Sequence, residues 1–275
     1  MRCFVFVLLA LGLVAKVFSA QSPEVVLREI GAAARTNTAT ALILCDKAVA
    51  DYPTNSQPLI VRARVLDSAR RYPEAIRDLS AALKMEPKFL SLWQTRGEVH
   101  FKAGNFKESV ADFDRVIELS PDRAPHHWQR GISLYYARQF SDGRKQFELH
   151  QTVNSSDVEN AVWHFLCAAR EQGVTNARAS MIKIGPDGRV PMQEIYALYA
   201  DTGNVDAVTS AAASSRSRDA LFYANLYLGL YFEAVGNAAK ARQHIAKAAV
   251  DPGATHYMGD VARVHWKLIQ SAASQ

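Results

Sequence analysis

The sequence contains few cysteines and none of the short motifs that mark common catalytic centres. Three cysteines occur in 275 residues, and no C-x-x-C, H-E-x-x-H, G-x-S-x-G or Walker sequence is present. Such motifs place thiolates, imidazoles, hydroxyls or phosphate-binding amides where redox, metal or nucleophilic chemistry needs them. The sequence therefore predicts a protein that is not an enzyme and that holds neither a metal nor another cofactor.

Runs of basic residues are missing as well. The formal net charge is +5, but the lysines and arginines are scattered along the chain. Binding to a phosphate backbone takes cations gathered on one face or in one run. The sequence therefore predicts no nucleic-acid partner.

A continuous apolar segment lies near the first residue. Arg2 precedes the apolar run 3–15, and Val17 and Ser19 follow at the spacing of a signal-peptide cleavage site. The run is shorter than the roughly 20 residues that cross a bilayer. Residues 1–19 are thus predicted to be a secretory signal peptide cleaved after Ser19, so that the protein is periplasmic or secreted and makes no stable membrane insertion. An uncleaved anchor and a cytosolic protein with a chance apolar start are the alternatives.

Residues of one size class recur every 34 positions between Ser22 and Asp157. The recurring sets are small (Ala41, Ala75, Ser109, Gly143), bulky (Cys45, Leu79, Phe113, Phe147) and proline (Pro53, Pro87, Pro121). A fixed period of this length is typical of helix–turn–helix units that stack into a solenoid.

The register resembles the tetratricopeptide repeat, whose pattern has small residues at positions 8 and 20, bulky ones at 4, 11, 17 and 24, and proline at 32. The unit 90–123 fits best, with Trp93, Gly97, His100, Phe106, Ser109, Phe113, Val116 and Pro121. The resemblance implies an all-α, right-handed superhelical α-solenoid over residues 20–275. Gly-Asn pairs at 104, 203 and 236 extend the phase to seven units and a capping helix. The predicted ranges are 22–55, 56–89, 90–123, 124–157, 158–188, 189–221, 222–255 and, for the cap, 256–275.

Cys45 and Cys167 fall in the first and fifth of these units. Stacked helices lie about 8–10 Å apart, whereas a disulfide needs Cα atoms within about 7 Å. Both thiols are therefore predicted to be free and buried.

Arginine also recurs with the period. Arg62, Arg96 and Arg130 stand at position 7, and position 23 of the same units carries Asp78, Asp112 and Gln146. The two positions face each other across a helical hairpin, which predicts polar pairs inside each unit. The alternative is a row of arginines that binds acidic peptide ends.

Five histidines cluster in units three to five and suggest a metal site. They are His100, His126, His127, His150 and His164. Adjacent histidines point away from each other on a helix, and metal pairs prefer i,i+3 or i,i+4 spacing. We interpret them as hydrogen-bonded core or groove residues. His150, at a position where alanine is usual, is predicted to lodge in a helix junction where alanine would cost no stability.

In the repeat family, positions 2, 5, 9, 12 and 13 of each first helix face the concave groove. The resemblance implies partner-binding residues at those phases: Arg64, Gln94, Glu98, Phe101, Trp128, Ile132, Tyr135, Tyr136 and Val162. The set is polar in the early units and aromatic from Trp128 onward, which favours an apolar or amphipathic peptide. The alternative interpretation places Trp128 and Tyr135 in the core between units.

The predicted function is that of an exported adaptor or scaffold that binds a protein or peptide in the concave groove. The stretch 225–237 is similar to bacterial envelope lipoproteins with tetratricopeptide repeats, although no cysteine follows the apolar run to carry a lipid. A self-associating scaffold, such as a homodimer, and a metal-dependent enzyme that uses the histidines are the alternatives.

Overall fold

The structure is a computed structural model, and it describes residues 22–215 and 217–272. The predicted signal peptide, residues 1–19, lies outside the described residues. Within them the chain forms helices and no strand.

Fourteen α-helices and one short 3-10 helix follow each other in the described residues. The first half contains α1 (Pro23–Ala34), α2 (Thr38–Asp51), α3 (Ser56–Ser68), α4 (Tyr72–Met85), α5 (Leu90–Ala103), α6 (Phe106–Leu119), the 3-10 helix (Pro121–His126), α7 (Trp128–Tyr136) and α8 (Phe140–Gln151). The second half contains α9 (Val158–Ala179), α10 (Met192–Tyr199), α11 (Val205–Ser214), α12 (Arg218–Ala234), α13 (Ala238–Ala249) and α14 (Tyr257–Ala272). Successive helices pack as antiparallel pairs, which confirms the all-α solenoid.

Asparagine and glycine delimit these helices as the sequence suggested, with one difference. The side chains of Asn204 and Asn237 accept hydrogen bonds from the backbone amides that open α11 and α13. Gly104 and Gly236 take the left-handed conformation (φ 86° and 82°) at the ends of α5 and α12. Before α11 the left-handed residue is Asp201 (φ 65°) and not Gly203. In this turn the left-handed residue therefore lies two positions earlier than the glycine of the Gly-Asn pair.

Each hairpin depends on a small residue that lies against a large one. A Cβ atom added to Gly97 or Gly131 would lie 2.6 Å from the ring of Phe113 or Phe147, respectively. In the last hairpin a Cβ on Gly229 would lie 2.6 Å from Ile245. Only a residue without a side chain lets the two helices approach this closely, which is why glycine stands at position 8 where phenylalanine stands at position 24.

The predicted polar pairs form, and they also join neighbouring units. Arg62 donates two hydrogen bonds to Asp78, both of 2.7 Å, and Arg96 donates to Asp112 at 2.8 and 2.6 Å. Arg130 donates to Gln146 at 3.1 Å. These interactions confirm the pairing within each unit.

The second partner of each arginine was not predicted. Arg62 also reaches Asp46 at 2.8 Å, Arg96 reaches Ser80 at 2.9 Å and Arg130 reaches Asp114 at 2.6 Å. Those three partners lie in the preceding unit and are themselves 34 residues apart. Each guanidinium therefore bridges the second helices of two units.

The fifth unit departs from the others. The predicted first helix, 158–170, continues to Ala179 as α9, with non-helical torsions at Gly173 (φ 82°, ψ 162°). Its middle is buried on all sides, including Val162, Trp163, Phe165 and Leu166. Residues 180–191 form an irregular connection in place of a full second helix. Cys45 and Cys167 are free and buried, as predicted.

We predict that Gly131→Ala lowers the free energy of unfolding by about 1–3 kcal/mol, because the new methyl group overlaps the Phe147 ring. Gly31 in α1 is the matched control, since a Cβ there meets no atom within 4 Å. Gly31→Ala should gain about 0.5–1 kcal/mol from the lower entropy of the unfolded chain. Urea unfolding followed by circular dichroism measures both, and similar effects at the two glycines would contradict the close-approach argument.

Candidate functional site

The closing helix α14 does not only cover the last hairpin; it also packs on α5 and α7. The Tyr257 ring stacks on Phe101 at 5.4 Å between centroids and meets Trp128 edge-on at 5.2 Å. Further along α14, the Tyr136 hydroxyl and His265 Nδ1 share a hydrogen bond of 3.0 Å. A segment of the chain itself therefore occupies the face of α5 and α7 that the sequence predicted to be open.

This contact changes what the predicted groove residues can do. Five of the nine are buried in the protein's own packing: Phe101, Ile132, Tyr135, Tyr136 and Val162. Gln94, Glu98 and Trp128 are half-buried, and Arg64 is exposed. Sequence reasoning treated α14 as a cap on the end of the stack, and for that reason it left the aromatic side chains beneath α14 uncovered. A role in binding stays a prediction for the four that a partner can reach.

The polar members of the set form a closed network. Gln94 donates to Glu98 at 2.8 Å and to Gln129 at 2.9 Å, and Gln129 donates to the same Glu98 oxygen at 2.9 Å. Gln129 was not predicted, although it follows Trp128 directly. Arg64 lies apart from this network and lines a separate cavity between the first two units, together with Leu27, Ile30 and Val65.

A cavity of about 320 Å³ lies beside Trp128, where α7, α8, α9 and α12 meet the start of α14. Its floor is buried and consists of Ile132, Phe147, Asn160, Trp163 and Met258. Its rim is half-buried and consists of Trp128, Glu159, Tyr223, His256 and Tyr257. The size matches the lower end of small-ligand pockets, and the walls are mostly aromatic. We call it the Trp128 cavity.

The single carboxylate that lines the Trp128 cavity is already engaged by two donors. One oxygen of Glu159 accepts from Arg189 Nη1 at 2.6 Å, and the other accepts from the Tyr227 hydroxyl. Burial raises the pKa of Glu159 above its usual range, and the two donors oppose that shift. Arg189 also binds Asp157 and Asp187, at 2.8 and 2.6 Å. Arg189 is thus shared among three carboxylates, while both oxygens of Glu159 are already hydrogen-bonded.

The five histidines are held in separate contacts. His127 is buried against the Phe113 ring, with centroids 4.7 Å apart, and burial lowers its pKa to about 4. His164 Nε2 lies 3.3 Å from Glu148, and His100 Nδ1 lies 3.3 Å from the Asn105 amide. Among the residues that the structure describes, no three His, Cys, Asp or Glu side chains are grouped so that they could hold a metal ion.

His150 lies in a helix junction, as predicted, but both of its nitrogens face acceptors. Nδ1 lies 2.8 Å from the Pro125 carbonyl oxygen, and Nε2 lies 3.8 Å from Asp157. Interaction with Asp157, assisted by the Pro125 carbonyl, raises the pKa of His150 against the opposing effect of burial. The side chain therefore links the end of α8 to the start of α9.

No α-helix within residues 22–215 and 217–272 has the length and apolar character needed to span a bilayer. The stack of helical hairpins with its concave face defines the class: a helical-repeat protein of the kind that binds other proteins. Comparison with known proteins names the repeat. Residues 60–124 match the tetratricopeptide-repeat family profile.

Relatives and solved structures agree with that match. The Protein SGT1 homolog of Bos taurus is 26% identical over 99 residues, which are 36% of this chain and 29% of that relative. The chain thus spans under a third of that relative's length. A tetratricopeptide repeat protein from Parabacteroides merdae superposes with a TM-score of 0.57 at 14% identity, over 91% of this chain and 99% of its own.

Two further structures share the fold. MamA from Desulfovibrio magneticus RS-1 superposes with a TM-score of 0.51 at 14% identity, over 57% of this chain and 89% of its own. PilW, described as a type IV pilus biogenesis factor, superposes with a TM-score of 0.51 at 15% identity, over 88% and 98%. At such identities the likeness concerns the fold alone. Residues 60–124 thus match the tetratricopeptide repeat, and the described residues share the fold of tetratricopeptide-repeat structures.

The contacts of His150 predict that the free energy of unfolding depends on pH, an effect that the sequence did not predict. Because its folded pKa is raised, the stabilisation is full below the pKa of the unfolded chain and is lost as pH rises through the folded pKa. His150→Ala should therefore lower the free energy of unfolding by about 1 kcal/mol at pH 5.5, and by less at pH 8.5. The exposed His126 provides the control, and urea unfolding of both variants at the two pH values is the measurement. A loss for His150→Ala that is equal or larger at pH 8.5 would contradict this role.

Proposed function

We propose that the protein is an exported adaptor without catalytic activity, which binds a protein or peptide partner on the concave surface next to α14. The tetratricopeptide fold supports the general role of a protein-interaction scaffold. The apolar run before Ser19 supports export. The observation that carries the binding site is the Trp128 cavity, since its aromatic rim is half-exposed while the neighbouring groove side chains are covered.

The chemistry of the Trp128 cavity favours an uncharged apolar group of the partner. Aromatic walls beside a carboxylate would also suit a cation. Here, however, both oxygens of Glu159 are engaged by Arg189 and Tyr227. A cation would have to compete with these two donors for Glu159, whereas an apolar side chain would bury its surface against Trp128, Tyr223 and Tyr257 without displacing either. Large aromatic side chains of this kind dominate the energy of protein interfaces.

We predict that Trp128→Ala removes a partner from a cross-linked pulldown carried out in the native compartment. Loss of an aromatic contact at the centre of an interface weakens binding by about 30-fold or more. Ile43→Ala is the matched control, because Ile43 is a large apolar residue of α2 that is 69% exposed and distant in sequence from the cavity. It should retain every partner.

Tyr135→Ala separates binding from folding. Because Tyr135 is buried, this variant should lower the melting temperature more than Trp128→Ala, whose half-exposed ring loses mainly its edge contact with Tyr257. If Trp128→Ala retained all partners that the unaltered protein captures, the Trp128 cavity would not be the binding site.

Export can be tested independently of partner binding. We predict that the native protein begins at Ala20, which corresponds to the loss of Arg2 and Lys16 and a formal charge that falls from +5 to +3. Mass spectrometry of the N-terminus of protein isolated from its host decides this. An intact Met1 would contradict cleavage after Ser19.

A further inference from the structure

Two arginines occupy a backbone conformation that favours glycine. Residues 70, 104 and 138 are spaced by 34 and end the first helices of units two, three and four. All three are left-handed, with φ values of 58° at Arg70, 86° at Gly104 and 61° at Arg138. Glycine adopts this conformation without steric cost, whereas a residue with a Cβ is strained there. Gly104 forms the same turn without strain, so the turn itself does not explain the arginines at 70 and 138.

Arg138 borders an aromatic cavity at the far end of α14. The cavity has a volume of about 370 Å³ and is lined on its apolar side by Phe106, Phe140, Leu268 and Ile269. Phe106 and Phe140 are half-buried and Leu268 is exposed, so the apolar wall is open to a partner. We call it the Arg138 cavity. It is separate from the Trp128 cavity and lies on the other side of the Tyr136–His265 contact.

The charges at the Arg138 cavity do not balance. Arg170 donates to Glu233 at 2.8 Å and to the Tyr135 hydroxyl at 3.2 Å, and Glu233 also lies 2.9 Å from His265. Burial alone would raise the pKa of Glu233, but His265 and Arg170 together outweigh it and hold this pKa below its usual range. The Arg138 guanidinium, by contrast, forms no ion pair with any residue that the structure describes, and lies 5.9 Å from the centre of the Phe140 ring. One exposed positive charge therefore stands beside an apolar wall.

We propose that the Arg138 cavity binds a partner segment in which an acidic side chain adjoins a large apolar one. The apolar side chain packs on Phe106 and Phe140, and the carboxylate pairs with Arg138. This proposal deepens the adaptor function and rests on it. Glycine in this position, as at Gly104, would supply no charge.

A side-chain carboxylate fits better than a free chain terminus. Capture of a terminal carboxylate takes several donors that converge on it. Here the second guanidinium is engaged by Glu233, and a single exposed arginine remains. A single ion pair suffices for an aspartate or glutamate whose position is fixed by its apolar neighbour.

The test uses capped dipeptides and ¹⁵N-labelled protein, with binding followed by NMR shifts of the turn between α7 and α8. N-acetyl-Leu-Glu-amide should bind about two- to fivefold more tightly than N-acetyl-Leu-Gln-amide, the range expected for one exposed ion pair, and the preference should fade at high salt. N-acetyl-Ala-Glu-amide tests the apolar wall, and N-acetyl-leucine tests a terminal carboxylate. Equal binding of the Glu and Gln peptides, or tighter binding of N-acetyl-leucine, overturns the proposal.

Arg138→Gly and Arg70→Gly are matched variants, because both relieve the same strain and only the first touches the Arg138 cavity. Both should leave the melting temperature unchanged or raise it by up to about 4 °C. Arg138→Gly should abolish the preference for glutamate over glutamine, and Arg70→Gly should keep it. A preference that survives Arg138→Gly overturns the proposal. If the pulldown captures partners but the dipeptides do not bind, this inference is wrong and the adaptor function stands. If the dipeptides bind with the stated preference but the pulldown captures no partner, only the adaptor function is contradicted.

Discussion

The architecture depends on the close approach of two helices where a small residue lies against a large one, as it does in the third and fourth units. Gly97 against Phe113 and Gly131 against Phe147 bring the two helices of a unit close together. The second unit has Ala63 and Leu79 at the same positions, and stacking of similar units makes a solenoid coil. The coil brings the end of the chain back to its middle, where α14 meets α5 and α7. The long-range contact is thus a consequence of a short-range one.

Because α14 packs on α5 and α7, the surface beside it is divided into two cavities with different chemistry. Tyr257 and His265 cover the centre of the aromatic row, leaving the Trp128 cavity near the start of α14 and the Arg138 cavity near its end. In the first, both oxygens of the single carboxylate are engaged by Arg189 and Tyr227, and the second exposes the Arg138 guanidinium, which has no ion-pair partner among the described residues. A partner that spans both would meet an apolar anchor point and a charged one. Such a pair of anchors fixes the direction of a bound segment, which a uniform apolar groove cannot do.

The period of 34 was enough to predict the fold, because each unit contacts mainly its neighbours and the determining residues recur. It predicted Arg62 with Asp78 and Arg96 with Asp112 for the same reason, and those pairs form. It did not predict the covering of Phe101 and Tyr136, since Tyr136 and His265 are 129 residues apart and no local pattern connects them. Buried Tyr135 and Val162 show the other limit: an aromatic or aliphatic row at helical spacing looks the same whether it faces a groove or the next helix.

Departures from the repeat identify both cavities. The fifth unit lacks a full second helix, and its long α9 supplies Glu159, Asn160 and Trp163 to the Trp128 cavity. At the Arg138 cavity the departure lies in the backbone: Arg138 takes the left-handed conformation that Gly104 takes in the third unit, as Arg70 does in the second. A solenoid of identical units would be more regular and less strained, but it would present the same surface at every step. Where the register is kept, the recurring residues pack one unit on the next; where it is broken, the structure has its two cavities beside α14.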